Sequence, residues 1–339
     1  MLMALHIARW LRRAVAGDAK CAVRRRVVMS RCTSTTVRVV ARICLVGVCV
    51  VACVRPADTR GSKCGAEPYT GDLPSYKLRP VIGQVGVHTV REGESFYDIA
   101  RSYGLGVNEL IDLYPELDPW IPPPGLVLTI PSLWIVPASH STGIVINIPE
   151  LRLYYHHGES TVSTFPIGIG KRERVTPVGT FKARRKRVCP TWNVPRSLRK
   201  KYGARRIPPG PDNPLGKYWI GLGRSAYGIH GTNMPAAIGR MATHGCIRTY
   251  PEDMRMLFPH VPKGTRVDII YEPVKIAVVG DTVYLEAHED IYHEIADMQA
   301  HGLRLLENRG LIDAVDMNAV REALESRSGM PVDVTAGRP

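Results

Sequence analysis

Turn residues interrupt this chain so often that long helices are excluded from most of it. Its 31 glycines and 27 prolines leave short apolar stretches between breaks, and such stretches read as strands joined by turns. From residue 143 onward the pattern is sustained. Ile144 to Ile148, Leu151 to Tyr155, Thr180 to Ala183 and Tyr218 to Gly221 are followed by Arg266 to Ile270 and Lys275 to Val279, and Gly280-Asp281 then turns into Thr282 to Glu286. The expected fold is mainly β within an α+β class, with mixed-β packing. A charged tail from Asp290 places Ile291, Ile295, Met298 and Leu303 at helical spacing and reads as a packing extension.

The formal charge of +14 would suit a nucleic-acid binder if it were spread over a folded surface. Residues 1–52 alone hold ten Lys/Arg against one acid, Asp18, so the excess is mostly a property of this leader and no nucleic-acid partner is expected. The arginines precede the uncharged run Ile43 to Ala52, which is about half the ~20 residues that a bilayer span needs. A basic flank followed by a short apolar run is the grammar of a secretory signal peptide, of ordinary size if Met29 is the start. Val50-Val51-Ala52-Cys53 resembles a bacterial lipobox, which implies lipidation at Cys53 and, with Val54 next instead of aspartate, anchoring at the outer membrane. Ordinary cleavage near Ala57 is the alternative, and the periplasm is the expected compartment in both cases. The mature chain would keep only Cys53, Cys64, Cys189 and Cys246, which is no disulfide framework. A cysteine without an evident partner in an oxidising compartment is either incidental or chemically employed.

Residues 54–85, rich in proline, glycine and charge, read as a linker. Residues 86–132 form a compact unit by pattern: strand-like His88-Thr89-Val90, a turn at Gly93, then Ser95 capping a helix with Ile99, Ala100 and Tyr103 on its apolar face. A second short helix runs from Val107 to Tyr114, and Leu126 to Pro131 closes the unit as a strand. This order, with Gly93-Glu94-Ser95, Asn108-Glu109-Leu110 and Leu128-Thr129-Ile130-Pro131, resembles a LysM module. That resemblance implies binding to glycan containing N-acetylglucosamine; a spacer that has kept the fold and lost the ligand is the alternative. As a separate unit, it is expected to raise affinity for the wall without being needed for chemistry.

Ile229-His230-Gly231-Thr232-Asn233 and Thr243-His244-Gly245-Cys246-Ile247-Arg248 carry the chemistry. Acyl transfer by a thiol requires a thiolate, an imidazole to hold its proton, and backbone donors for the oxyanion. Gly245 permits close backbone approach to a substrate, and the amides around Gly245 and Cys246 are candidates for the oxyanion hole. A zinc site of His230, His244 and Cys246 lacks the paired ligand spacing of structural sites, and a buried, inert Cys246 is the plain alternative. Neither a metal nor another cofactor is expected.

The two segments, with Thr176-Pro177-Val178-Gly179-Thr180-Phe181 and Asn213-Pro214-Leu215-Gly216 upstream, resemble the L,D-transpeptidase (YkuD-type) catalytic domain over residues 139–272. With the LysM module in front and an extension over residues 273–339 behind, the resemblance is closest to the Gram-negative periplasmic subgroup. It implies Cys246 as nucleophile, His230 as its base and the Gly231 carbonyl as the third catalytic member. His244 would shape the oxyanion hole or be structural, and Arg248 would face a substrate carboxylate or brace the loop, with a surface ion pair as the alternative. Thr243 replaces the commoner serine. The implied substrate is a peptidoglycan tetrapeptide stem, cleaved between diaminopimelate and D-alanine, with a stem amine, an envelope-protein lysine or water as acceptor; the alternative is a non-catalytic wall-binding protein. Cys189 matches no catalytic position and reads as structural.

Overall fold

The computed structural model describes residues 64–67, 69–138, 142–158, 160–223 and 226–337. Cys53 and the leader lie outside the described residues. The segment expected to be a linker is, from Cys64 onward, part of the packed structure. Leu73 is buried in the main core. Strand β1 (Tyr76–Lys77) and strand β2 (Val81–Gly83) precede the module. Both are too short for alternation to show in sequence; β1 is held by pairing to the longer strand Thr161–Gly170 and β2 by pairing to the equally short Leu133–Ile135.

The module consists of β3 (Gly86–Thr89), α1 (Phe96–Ser102), α2 (Val107–Ile111) and β4 (Val127–Ile130). Ser95 caps α1 through a reciprocal bond with Asp98. Phe96, Ile99, Ala100, Val107 and Leu110 fill its interior, whereas Tyr103, expected on the apolar face, is exposed. β5 (Leu133–Ile135) leaves the module and pairs with β2.

Strands β6 (Gly143–Asn147), β7 (Arg152–His156), β8 (Thr161–Gly170) and β9 (Gly179–Val188) open the next unit. A hairpin of β10 (Trp192–Asn193) and β11 (Arg206–Ile207) encloses α3 (Arg199–Tyr202). Then follow β12 (Tyr218–Leu222), β13 (Gly228–His230), β14 (Met241–Thr243), β15 (Ile247–Thr249), α4 (Pro251–His260) and β16 (Arg266–Ile270). The order β8-β15-β13-β12-β9-β16-β6-β7 closes on itself because β7 also pairs with β8, and β1 adds to β8 outside the ring. The ring is barrel-like and mixed: β6 with β16 and β13 with β15 are parallel, the other ring pairs antiparallel. Ile146, Leu153, Ile167, Ile220, Ile229 and Ile247 pack inside it against Met254 and Leu257 of α4.

The extension forms a hairpin of β17 (Val274–Val279) and β18 (Thr282–Ala287), with α5 (Met298–Asn308), α6 (Met317–Ser326) and β19 (Val332–Asp333) packed on it. The helical pattern expected from Asp290 begins only at Met298, and Ile291 packs into the barrel core instead.

Candidate active site

β13 ends on His230, and β15 starts one residue after Cys246. The two strands are parallel neighbours, with Ile229 beside Ile247 and His230 beside Arg248. Pairing thus brings together motifs that the chain separates by a loop. His230 is 3% exposed, and its Nδ1 lies 2.5 Å from the Gly231 carbonyl oxygen. A carbonyl only accepts, so Nδ1 carries the proton and Nε2 keeps its lone pair.

Trp219 stands opposite His230 in β12 and stacks its indole on the imidazole, 5.3 Å between centroids and 19° between planes. The indole lies so close over Gly228 that a Cβ there would come 2.4 Å from Trp219 Cζ2. Trp219 therefore holds one face of the ring while Gly231 holds its Nδ1 edge. No motif marks this tryptophan, and only the strand register identifies it.

Burial, reinforced by the positive charge of Arg248, pushes the His230 imidazole down to about 3, against the pull of its bond to Gly231. Burial also pushes the half-buried Cys246 thiol up, with the Gly228 amide and Arg248 opposing it. Sγ lies 3.9 Å from the Ala226 carbonyl oxygen. Both charged forms are disfavoured, so the resting pair is a thiol and a neutral imidazole.

Thr243 organises the loop that carries the cysteine. Its Oγ1 accepts from the Gly245 amide at 3.1 Å and donates to the Cys246 carbonyl at 2.7 Å. Gly245 has φ +98°, and a Cβ on it would sit 2.5 Å from Tyr227 Cε1, so the turn requires glycine. Because this turn uses the Gly245 amide, the Cys246 amide is the one of that candidate pair left to face an oxyanion. Thr176 braces the same loop: its Oγ1 donates to the Gly245 carbonyl at 3.3 Å and accepts from the Gly170 amide at 2.9 Å. Asn213 ties the β10–β11 hairpin instead, donating from Nδ2 to the Pro190 carbonyl at 2.8 Å.

His244 is exposed, and its imidazole is pushed down by partial burial and by the surrounding charges of Arg174, Lys171, Lys201 and Arg248. Among the described residues, Arg248 has no carboxylate partner and its Nε is buried without a hydrogen bond. A surface ion pair is thereby replaced by an unpaired guanidinium beside the cysteine loop. Cys189 is bonded to Cys64 across 125 residues of sequence. This corrects the expectation that the cysteines form no disulfide framework, and it leaves Cys246 as the free thiol among the described residues. The pairing escapes sequence reading because the first partner sits in a stretch that looks like a linker.

Glu150, Glu286 and His288 also gather ligating atoms within 4.8 Å of one another. The Lys275 ammonium sits 2.9 Å from Glu150 and 2.7 Å from Glu286, so a lysine already supplies the positive charge that a cation would bring.

The L,D-transpeptidase catalytic domain family matches residues 141–269, and the LysM domain family matches residues 88–131. A probable L,D-transpeptidase of Salmonella typhimurium, ErfK/SrfK, is 38% identical over 299 residues, covering 84% of this chain and 92% of that protein. The probable L,D-transpeptidase YbiS of Escherichia coli is 37% identical over 284 residues, covering 79% and 92%. The solved catalytic domain of an Enterococcus faecium L,D-transpeptidase is 24% identical with a TM-score of 0.33, covering 40% of this chain and 100% of that one. A cysteine loop and a histidine strand joined by the sheet, together with full-length relatives at this identity, place the chain in the L,D-transpeptidase family.

Proposed function

We propose that Cys246 and His230 carry the transpeptidation, acting on tetrapeptide stems of peptidoglycan. The observation that carries this reading is the parallel pairing of β13 with β15, which sets the Gly231-bound imidazole beside the cysteine loop. Sγ attacks the carbonyl between diaminopimelate and D-alanine while Nε2 takes the thiol proton. The Cys246 amide faces the developing oxyanion. Nε2 then returns the proton to the departing D-alanine nitrogen, leaving a thioester. An incoming amine attacks the thioester and passes its proton through Nε2 back to sulfur. A stem amine as acceptor gives a 3–3 crosslink, and an envelope-protein lysine gives a covalent wall anchor.

The module supports wall binding through a cleft of about 410 Å³ that it shares with the barrel. Tyr97 and Trp120, stacked at 4.3 Å, line it with Asp98 on one side, and Pro235, Ala236 and Tyr250 form the other. Aromatic faces beside polar groups suit a sugar ring. The same reading places the protein in the periplasm, anchored through a lipid on Cys53; a mature amino terminus beyond Cys53 would refute that anchor.

The test incubates the purified protein and its Cys246→Ala variant with tetrapeptide muropeptides and reads products by mass spectrometry. The wild type should release D-alanine and form dimers through an acyl adduct on Cys246, and the variant should do neither. Turnover by Cys246→Ala, or an adduct on another residue, would overturn the assignment.

A further inference from the structure

The charge that remains after the leader is concentrated in one stretch of the chain, part of which lies at the candidate active site. Residues 171–217 contain fifteen Lys/Arg against two acids, Glu173 and Asp212, whereas the rest of the chain after residue 52 holds 20 basic and 28 acidic residues. Among the described residues, none of the fifteen is in an ion pair. Four of them spend a donor on backbone carbonyls: Arg172, Lys186, Arg199 and Lys217. The others lack such a bond and stand exposed.

Strand register locates part of this charge. Arg187 pairs with Trp219, Trp219 with His230 and His230 with Arg248, and directly paired residues share a face of the sheet. These four side chains therefore form one row across the active-site face. The next row is Arg185, Gly221 and Gly228, in which the two glycines add nothing above the backbone. Beyond Trp219 the face thus continues into two exposed guanidinium groups, Arg185 and Arg187. Lys171 and Arg174, at the end of β8, and Lys201 of α3 are close enough to act on His244. Arg248 completes the set, with its Nε buried and unpartnered. Uncompensated like charge gathered on one face raises the local concentration of an oppositely charged ligand.

We propose that Arg185 and Arg187, with Lys171, Arg174 and Lys201, form a specificity surface that selects an acyl donor carrying several free carboxylates. This rests on the transpeptidase reading of Cys246 and adds to it the chemistry of the donor. Arg248 takes one carboxylate near the scissile bond, and the arginine row reads a second one further along the peptide. Each exposed contact is individually weak, so discrimination comes from their number and appears in binding, not in the chemical step. A donor whose side carboxylates are amidated, or an acidic groove, loses that selection.

The test compares tetrapeptide donors that differ only in free or amidated side carboxylates, at low and high ionic strength. In the wild type the free-carboxylate donor should have the lower KM, by about tenfold at low salt, and the advantage should shrink as salt screens the surface. Arg185→Gln/Arg187→Gln should raise KM for that donor several-fold, leave kcat within about twofold and leave the amidated donor unaffected. Arg185→Glu/Arg187→Glu should raise it further, while Arg304→Gln on α5 changes nothing. Equal KM for the two donors, or a loss confined to kcat, would overturn the proposal. The same donors are titrated calorimetrically onto Cys246→Ala, whose binding does not depend on turnover. Preferential, salt-sensitive binding there upholds the surface even if Cys246 proves not to be the nucleophile, and equal binding of both donors refutes it.

Discussion

At the scale of single residues, the charge state of the resting site separates two mechanisms. A thiolate paired with imidazolium, the arrangement expected from the cysteine and histidine alone, needs a histidine that holds its proton near neutrality. Burial and Arg248 push His230 down to about 3, so the imidazole is an available base throughout the physiological range, and proton transfer accompanies attack. We expect kcat/KM for a soluble donor to be flat between about pH 5 and 8, with its acid limb displaced well below the ordinary histidine value of about 6.5. Arg248→Gln removes a charge that pushes the imidazole down, so its acid limb should move upward. A wild-type limb near the ordinary value, or no movement in the variant, would count against the neutral pair. The stability consequence has a definite sign: the folded value is depressed, so the unfolded chain binds the extra proton and stability falls as pH drops from about 6.5 toward 3. His230→Gln should lose that part of the pH dependence in unfolding curves. The grouping of Cys246, His230 and Thr243 at one site was legible because they lie in contiguous motifs. Trp219 was not, because its role comes from standing opposite His230 across a strand pair.

At the scale of elements, the module is docked as part of the same packed body and does not hang on a linker. Val145, Tyr154 and Val162 of the barrel share one apolar cluster with Phe96, Leu110 and Trp134. At its centre Glu109 of α2 meets Arg152 of β7 at 2.7 Å, both buried, and Trp134 Nε1 donates to the same carboxylate at 2.9 Å. The Arg152 guanidinium also lies 4.1 Å from the centroid of the Trp134 ring. Gly106 and Gly239 approach closely enough that a Cβ on Gly239 would come 2.5 Å from the Val107 amide nitrogen. Cutting out residues 86–132 would strand a buried arginine, so the deletion should cost stability and not merely wall affinity. Arg152→Met leaves Glu109 buried without its partner and should cost about 3–5 kcal/mol, whereas Arg152→Met with Glu109→Leu should recover most of that loss. Urea unfolding of the two variants checks this; equal losses in both would mean that the pair does not hold the interface. The module's helices and strands were visible in caps and periodicity, but its docking was not. An isolated glutamate and arginine give no sign that they will be buried against each other.

At the scale of the whole molecule, the extension is a brace that reaches the cysteine loop. Arg172 Nε donates to the Ile291 carbonyl at 2.9 Å, and Tyr292 OH donates to the Gly170 carbonyl at 2.7 Å and accepts from the Thr176 amide at 3.2 Å. Thr176 in turn holds Gly245. What fixes the extension in place is Lys275, buried between Glu150 of the barrel and Glu286 of β18. Its Nζ also donates to the Ile135 carbonyl at 2.7 Å, and Glu286 accepts the Ile135 amide at 2.6 Å, so β5, the barrel and the extension meet at one ammonium. Burial alone would push the Glu150 carboxyl up, but Lys275 overrides this and holds it below its ordinary value. Burial would likewise push Lys275 down, and the two carboxylates hold it up. The pair's contribution is therefore complete around neutrality and is lost as pH falls through the depressed Glu150 value. Lys275→Met removes the ammonium from two buried carboxylates, leaving His288, 2.6 Å from Glu286, beside them, and should cost about 3–5 kcal/mol at pH 7. In that variant burial is opposed only by His288 and the Tyr154 hydroxyl, Glu150 becomes easier to protonate, and the deficit relative to wild type should narrow as pH falls below about 4.5. Urea unfolding of both proteins at neutral and acidic pH measures this difference. A deficit under about 1 kcal/mol at neutrality, or one that does not change with pH, would mean that packing of the hairpin and not the buried lysine secures the extension.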